Sequence, residues 1–211
     1  MTARRIASQP RSARSPRGSA TETRSRVVQA AAAIFNRDGY EGTDSNRIAR
    51  EAGYSPGTFY KHFADKRSVF LAVYEEWVAR EWREVSAMVA ETGSAHERAE
   101  RIVAMFLHHH RRWRGFRASL RALVAHDAEV CGFYRTQRRL QLDALTSMRA
   151  ASSLEATREA DALLLFTLER TADALAEGEP DAIGVRPAQL RALLVDLVRA
   201  QLTRLCNENC L

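Results

Sequence analysis

Residues 42–66, GTDSNRIAREAGYSPGTFYKHFADK, constrain the fold more than any other stretch of the chain. Gly53 stands where a first helix needs a left-handed C-terminal residue, and Ser55 with the proline after it is a typical start for a second helix. Phe59 and Phe63 are four residues apart and share one face of that second helix, which leaves a polar, aromatic and basic face outside. The pattern predicts two short helices and a tight turn, either a helix-turn-helix for the DNA major groove or an ordinary helical hairpin.

Apolar residues recur at three- and four-residue spacing along most of the chain, which predicts an all-α fold with no strand of consequence. One helix is expected before the central stretch, and a long helix is expected to begin after Asp65. Further helices follow a break at residues 92–95. The expected ranges are 23–38, 66–89, 95–112, 116–125, 128–152, 155–177 and 187–206.

The basic charge of the chain is unevenly placed. The 211 residues carry a net charge of +6, and residues 1–20 hold five arginines and no acid. From Arg67 onward, basic and acidic residues balance. Excess basic charge beside the central stretch suits a protein that binds phosphates. Residues 1–20 have too few large apolar side chains to fold, and we expect a disordered arm that either follows DNA phosphates or only aids solubility.

Several classes of protein are disfavoured by what the sequence lacks. No apolar run approaches the length of a membrane span, and no hydrophobic segment follows the N-terminal arginines, so we expect a cytoplasmic protein with no membrane partner. Cys131, Cys206 and Cys210 are predicted to be free thiols. The histidines at 108–110 point about 100° apart on a helix and cannot converge on one ion, so one of them is expected to face inward. We predict no metal, no cofactor and no catalytic residue.

The string GTFYKHFADK at residues 57–66, with the threonine, IA and AG that precede it, resembles the N-terminal domain of TetR/AcrR-type transcriptional regulators. The resemblance extends over about residues 23–80, with Tyr54 where an aliphatic residue is usual. It implies an all-α homodimer whose two helix-turn-helix units meet successive major grooves of a pseudo-palindromic operator.

The same resemblance implies how the chain is divided. It gives an N-terminal three-helix DNA-binding domain, joined by a long helix to a C-terminal helical domain for ligand binding and dimerisation. The boundaries are an arm at 1–20, the DNA-binding domain at 21–81 with the helix-turn-helix at about 44–63, and the effector-binding and dimerisation domain at 82–211.

The resemblance also implies roles for individual side chains in binding operator DNA. Some would contact phosphates, and those that begin the second helix of the motif would lie closest to base edges, with Gly57 allowing close backbone approach. The predicted DNA-binding residues are Thr43, Arg47, Ser55, Pro56, Gly57, Thr58, Tyr60, Lys61, His62 and Lys66.

For the C-terminal half, the resemblance implies that the middle helices enclose a pocket and that the last two helices form a four-helix dimer interface with their partners. Aromatic and methionine side chains on the middle helices are candidates for a largely apolar effector pocket, although such a stripe is often plain core. The pocket candidates are Trp77, Met88, Met105, Phe106, His109, Trp113, Phe116, Phe133, Tyr134, Gln137 and Phe166. Apolar stripes on the last two helices predict a dimer interface, unless they are buried within one chain. The interface candidates are Leu164, Leu168, Ala172, Leu175, Leu190, Leu194, Leu197, Val198, Gln201 and Leu205.

We therefore predict a DNA-binding transcriptional regulator, most simply a repressor that a small, largely hydrophobic effector releases from its operator. One alternative is an architectural DNA-binding protein without an effector, which a solid C-terminal half would favour. The other is a helical enzyme with a vestigial DNA-binding unit, for which the sequence offers no nucleophile–base pair or carboxylate dyad.

Overall fold

The computed structural model describes residues 19–150 and 157–206, and within these ranges the chain is helical with no strand. Most of the predicted arm and Cys210 lie outside the described residues, as do the side chains of Leu205 and Cys206. The helices are α1 (Ala20–Asp38), α2 (Ser45–Glu51), α3 (Pro56–Tyr60), α4 (Lys66–Ala90), α5 (Ala95–Arg112), α6 (Arg114–His126), α7 (Ala128–Ala150), α8 (Arg158–Glu177), α9 (Glu179–Ala182) and α10 (Pro187–Cys206). Among the described residues, no helix combines the length and the hydropathy that a membrane span requires.

Most helix boundaries follow from capping residues that the sequence displays. Asp44, Ser55 and Asp65 cap α2, α3 and α4, and each side chain accepts a hydrogen bond from a backbone N–H of the first turn. Several boundaries differ from the prediction. α1 begins three residues earlier because Ser19 supplies its cap, α3 ends at Tyr60, and α8 begins three residues later, after a cap at Thr157. Helix α6 begins two residues earlier, and the short α9 was not expected.

The three N-terminal helices and the first half of α4 share one hydrophobic core. Phe59 and Phe63 are buried in it, as their spacing predicted, and Phe35 contacts Phe70 edge-on at 5.1 Å between ring centroids. This core also takes in Phe116 of α6 and parts of α7, so its packing continues beyond residue 81. A second core lies between α5, α8, α10 and the end of α4.

Helix α6 packs tightly against α1. The Asn36 side chain donates to the carbonyl of Arg112 at 2.7 Å and accepts from the backbone N–H of Phe116 at 3.2 Å. A β-carbon on Gly115 would lie 2.0 Å from the carbonyl oxygen of Asn36, so only glycine permits this approach of α6 to α1. The contact fixes α1 to the C-terminal half, independently of α4.

Candidate nucleic-acid interface and cavities

Helix α3 is short, exposed and held at its start by its own side chains. The Ser55 hydroxyl accepts from the backbone N–H of Thr58 at 3.3 Å and lies 3.1 Å from the Thr58 hydroxyl. Pro56 occupies the first turn, where the lack of an N–H costs nothing. Phe59 anchors the helix in the core, so the neighbouring side chains are turned outward.

The outward face of α3 and the turn after it carries the predicted DNA-reading side chains. Tyr60 is 53% exposed, Lys61 is exposed and His62 is half-buried. Within the described part of the chain, none of these three side chains forms a hydrogen bond or an ion pair. Gly57 has open space beside it, because a β-carbon there would meet only the Ser55 hydroxyl at 3.9 Å. The fold therefore does not demand glycine at this position.

Lys66 is more engaged within the chain than its predicted phosphate role suggested. Its ammonium donates to the carbonyl of Tyr40 at 2.9 Å, lies 4.0 Å from the centroid of the same ring, and sits 3.6 Å from Glu41. The ammonium at this helix N-terminus therefore has partners within the chain, and contact of Lys66 with DNA stays a prediction.

Arg47 and Thr43 also serve the fold. The Arg47 guanidinium binds Asp38 at 2.6 Å, Glu51 at 3.2 Å and the Gly42 carbonyl at 2.9 Å, which ties the α1–α2 turn to α2. Thr43 is buried. The structure therefore disfavours both as phosphate contacts.

Arg50, three residues further along α2, was missed as a candidate. It is exposed, and no ion pair involves it within the described residues. Its sequence signal was present, because it is a basic residue in the last turn of the first helix of the motif.

Comparison with known proteins shows what this part of the chain is similar to. Residues 27–73 match the family model for bacterial regulatory proteins of the tetR family. The HTH-type transcriptional repressor AcnR of Corynebacterium glutamicum is 34% identical over 73 residues, which cover 35% of this chain and 37% of AcnR. The N-terminal part of the chain is thus similar to regulators of the tetR family. The match spans little more than a third of AcnR, so the sequence likeness to this relative is confined to part of the protein.

Solved structures extend the likeness to the whole TetR fold. The fatty acid degradation regulator FadR of Bacillus halodurans superposes with a TM-score of 0.60 at 18% identity, covering 92% of this chain and 98% of that one. FadR of Bacillus subtilis, solved in complex with stearoyl-CoA, has a TM-score of 0.60 at 15% identity, covering 83% and 97%. At these identities the comparison shows the fold alone, and it confirms the predicted all-α architecture.

The C-terminal half of the chain contains an apolar cavity between α4, α5, α7, α8 and α10. Its volume is about 70 Å³, and Trp82, Phe106 and Leu165 are among the side chains that line it. Asp161 and Gln201 are the polar residues in its wall. The cavity is thus mostly apolar with few polar groups, which is the character that the sequence predicted for a pocket.

A second and larger cavity of about 290 Å³ lies between α4, α6, α7 and α8. Its wall is strongly polar and combines four arginines and three carboxylates with aromatic rings. The charged residues in this wall are Glu81, Arg117, Arg121, Arg138, Glu169, Arg170 and Asp173. We call it the polar cavity.

Four of the eleven predicted pocket residues line these two cavities. Phe106 lies in the apolar one, and Trp77, Tyr134 and Phe166 lie in the polar one. The other seven line neither cavity. A stripe of aromatic and methionine residues shows that one face of a helix is apolar, but it does not show whether that face packs against another helix or lines a cavity. Phe116 and Met105 are buried in the two cores, Phe133 and Met88 pack against those cores, and Trp113, Gln137 and His109 lie outside both cavities.

Asp173 is the centre of the ion-pair network in the polar cavity. Its carboxylate accepts from Arg117 at 2.5 and 2.8 Å, lies 2.9 Å from Nδ1 of His110, and is 3.0 Å from Arg121. Burial alone would raise the pKa of Asp173, but the hydrogen bonds and charges of His110 and Arg117 outweigh it and hold that pKa well below 3.8. The network joins α5, α6 and α8.

The three consecutive histidines face different surroundings, as their spacing predicted. His110 is buried against Asp173, His108 is exposed, and His109 lies between Glu81 at 3.5 Å and Glu84 at 3.4 Å.

The predicted dimer interface needs a correction. Leu168, Ala172, Leu194 and Val198 are buried in the second core of their own chain, so they cannot meet a partner. The leucine stripes of α8 and α10 are broad, so one side of each stripe packs against α5 and the other side faces outward. The sequence did not show which leucines belong to which side. Partly exposed members of the predicted set are Leu164, Leu175, Leu190, Leu197 and Gln201.

The exposed side of the same two helices carries apolar residues outside the predicted set. Leu163 of α8 is 68% exposed and Leu193 of α10 is 59% exposed. Exposed leucines on two neighbouring helices are typical of a surface that packs against another molecule.

Proposed function

We propose that this protein is a DNA-binding transcriptional regulator of the TetR family that acts in the cytoplasm as a homodimer on a pseudo-palindromic operator. The observation that supports it most directly is the outward face of α3 and the turn after it, where the exposed side chains of Tyr60 and Lys61 form no hydrogen bond or ion pair with the described residues. Exposed side chains on a helix that Phe59 anchors are available to read a major groove. Ser55, Thr58 and His62 complete this surface, and Arg50 is an added candidate for a phosphate.

Loss of Lys61 tests the phosphate-binding part of this surface. Lys61→Ala should weaken binding to duplexes of every sequence and lower the slope of log affinity against log salt by about one, because one fewer counterion is released. Fluorescence anisotropy at several salt concentrations measures both quantities. Arg139→Ala, which removes an exposed cation from α7, is the control and should change neither. An unchanged slope for Lys61→Ala would place this side chain away from the DNA.

The dimer would bury the exposed leucines of α8 and α10 against a second copy. Leu163, Leu193 and the partly exposed Leu197 give two neighbouring helices an apolar outer face, and a two-fold axis would pair it with itself in a four-helix arrangement. Such a dimer also presents α3 twice, which a palindromic site requires.

Leu193→Glu should convert the protein to monomers, because two carboxylates would be brought together in a desolvated interface. Light scattering measures the mass directly. Leu140→Glu is a matched control, since Leu140 is an exposed leucine of α7 and its replacement should leave the dimer intact. A dimeric Leu193→Glu protein would contradict the interface.

We propose that a small molecule controls DNA binding and that the protein acts as a repressor released by it. Helix α4 supports this coupling, because it begins at the DNA-binding unit with Lys66 and carries Trp82, Val85 and Val89 into the wall of the apolar cavity. A ligand that changes the packing of α4 would change the spacing of the two α3 helices. The lining of the apolar cavity suits a hydrophobic effector, for which its volume of about 70 Å³ would have to expand. FadR of Bacillus subtilis, which shares the fold, was solved in complex with stearoyl-CoA.

The cavities also weigh against an effector-independent architectural protein, which would need a solid C-terminal half. A screen of small hydrophobic compounds by thermal shift, followed by duplex binding with each hit, tests effector control. A compound that raises the melting temperature and releases the duplex supports it. Hits that bind without changing DNA affinity would contradict it.

A further inference from the structure

Glu81 is a buried carboxylate without the partners that such a group normally has. It lies on α4, is 2% exposed, and faces the polar cavity. Its Oε1 atom has no hydrogen-bond partner among the described residues. An ionised carboxylate out of water is costly unless it is paired and hydrogen-bonded, so this group calls for a physical explanation.

The arginines of the cavity are already committed to other carboxylates. Arg117 and Arg121 both bind Asp173, and Arg121 also binds Glu177. Arg138 binds Glu169, and Arg170 binds Glu179 at 2.5 Å. When these pairs are matched off, Glu81 is the carboxylate of the cavity wall that forms no ion pair with an arginine among the described residues, although its charge acts on Arg117 from a greater distance. The unmet requirement of the cavity is therefore a positive charge.

His109 cannot meet that requirement by itself. Its Nδ1 is 3.5 Å from Glu81 and its Nε2 is 3.4 Å from Glu84, and neither contact has hydrogen-bond geometry. A protonated imidazole would carry one charge between two carboxylates. One of the two negative charges would therefore remain unbalanced.

We propose that the polar cavity binds a small organic cation with N–H donors, such as a protonated amine or an amidinium, and that Glu81 is its counter-ion. A charge-assisted hydrogen bond from the ligand would satisfy Oε1 in a site shielded from water. The volume of about 290 Å³ suits a ligand about the size of a single substituted ring.

The walls of the cavity already accommodate cations against aromatic faces. The Arg117 guanidinium lies 5.2 Å from the centroid of the Trp77 ring, and Arg138 lies 4.7 Å from that of Tyr134. Phe166, exposed at the edge of the cavity, offers a further aromatic face to an entering ligand. Aromatic rings attract cations through the negative charge of their faces.

A cation at Glu81 would touch α4 between its DNA-proximal and apolar-cavity segments. It could therefore act on operator binding through the same helix as the proposed effector, and this link rests on the proposed function. Cation binding can be measured without DNA, so it does not depend on the proposed function. If no cation binds, the proposal of DNA binding is unaffected.

The test compares ligands of one shape and different charge by calorimetry on the full-length protein. The probes are benzamidinium, neutral benzamide and benzoate, with 2-phenylethylammonium as a second cation. We expect a cation to bind at least about tenfold more tightly than benzamide or benzoate. Failure of both cations to bind, equal affinity for the three isosteres, or a preference for benzoate would each overturn the proposal.

Glu81→Gln separates a counter-ion from a structural group. The variant should lose the preference for cations, and its melting temperature without ligand should be unchanged or higher, because an unpaired buried charge has been removed. Glu84→Gln, one turn away on α4 and also beside His109, should retain the preference. A lower melting temperature for Glu81→Gln, or an unaltered cation preference, would overturn the proposal.

Discussion

Gly57→Ala should abolish most operator binding while leaving the fold intact. The glycine has no structural duty, because a β-carbon there meets only the Ser55 hydroxyl at 3.9 Å and the backbone needs no positive φ. Alanine is also the better helix former, by up to about 1 kcal/mol. On the DNA side, the added methyl group would separate the start of α3 from the groove and lower affinity by roughly a hundredfold, or about 2.7 kcal/mol.

Gly132→Ala is the matched control for this substitution. Gly132 lies in α7 and also has open space beside it, so alanine there should leave both folding and DNA binding unchanged. Circular dichroism and thermal melting check the fold, and anisotropy with an operator duplex measures the affinity. Full DNA binding by Gly57→Ala would show that the start of α3 is not the contact surface.

Asp173→Asn should be the most destabilising single-atom change in the C-terminal half. The variant keeps the shape of the side chain, but it leaves the buried Arg117 guanidinium without its carboxylate and removes one of the two carboxylates that bind Arg121. Removing one partner of a buried ion pair typically costs about 3–5 kcal/mol. Urea unfolding at pH 7 and equal protein concentration measures the loss. Asp196→Asn breaks an exposed pair with Arg199 and should change stability by no more than about 0.5 kcal/mol.

The pH dependence of this loss has a defined sign. The pKa of Asp173 is lowered in the folded protein, so its ionised form contributes stability that is complete above the ordinary value of 3.8. That contribution disappears as the pH falls below 3.8 towards the folded-state pKa. The difference in unfolding free energy between wild type and Asp173→Asn should therefore shrink in acid. A difference that stays constant from neutral pH into this acidic range would contradict the assigned network.

The DNA-binding unit was largely predictable because local residues determine it. The caps at Asp44, Ser55 and Asp65 fix where helices begin, and the spacing of Phe59 and Phe63 fixes which face is buried. The residues near a charged side chain in the sequence could not show whether it pairs with other parts of the fold. The partners of Lys66 lie in the α1–α2 turn, and those of Arg47 lie at the end of α1, in that turn and in α2.

The C-terminal half was predictable as helices but not as sites. Leu194 and Val198 belong to the same stripe as Leu193, and only the position of α5 decides which of them is buried. The sequence of α4 did contain one sign of a site. Glu81 is a charged residue at a helical spacing that is otherwise apolar and includes Trp77 and Val85. A carboxylate in such a register indicates either a buried ion pair or a binding site.

The most direct test of the proposed function is selection of binding sequences from a pool of random duplexes by the full-length protein. We expect enrichment of a two-fold symmetric sequence whose half-sites lie in successive major grooves, about one helical turn apart. The Gly57→Ala protein should enrich no sequence from the same pool. If the wild-type protein enriches none either, or selects only an isolated half-site, the proposal of a dimeric sequence-specific regulator is contradicted.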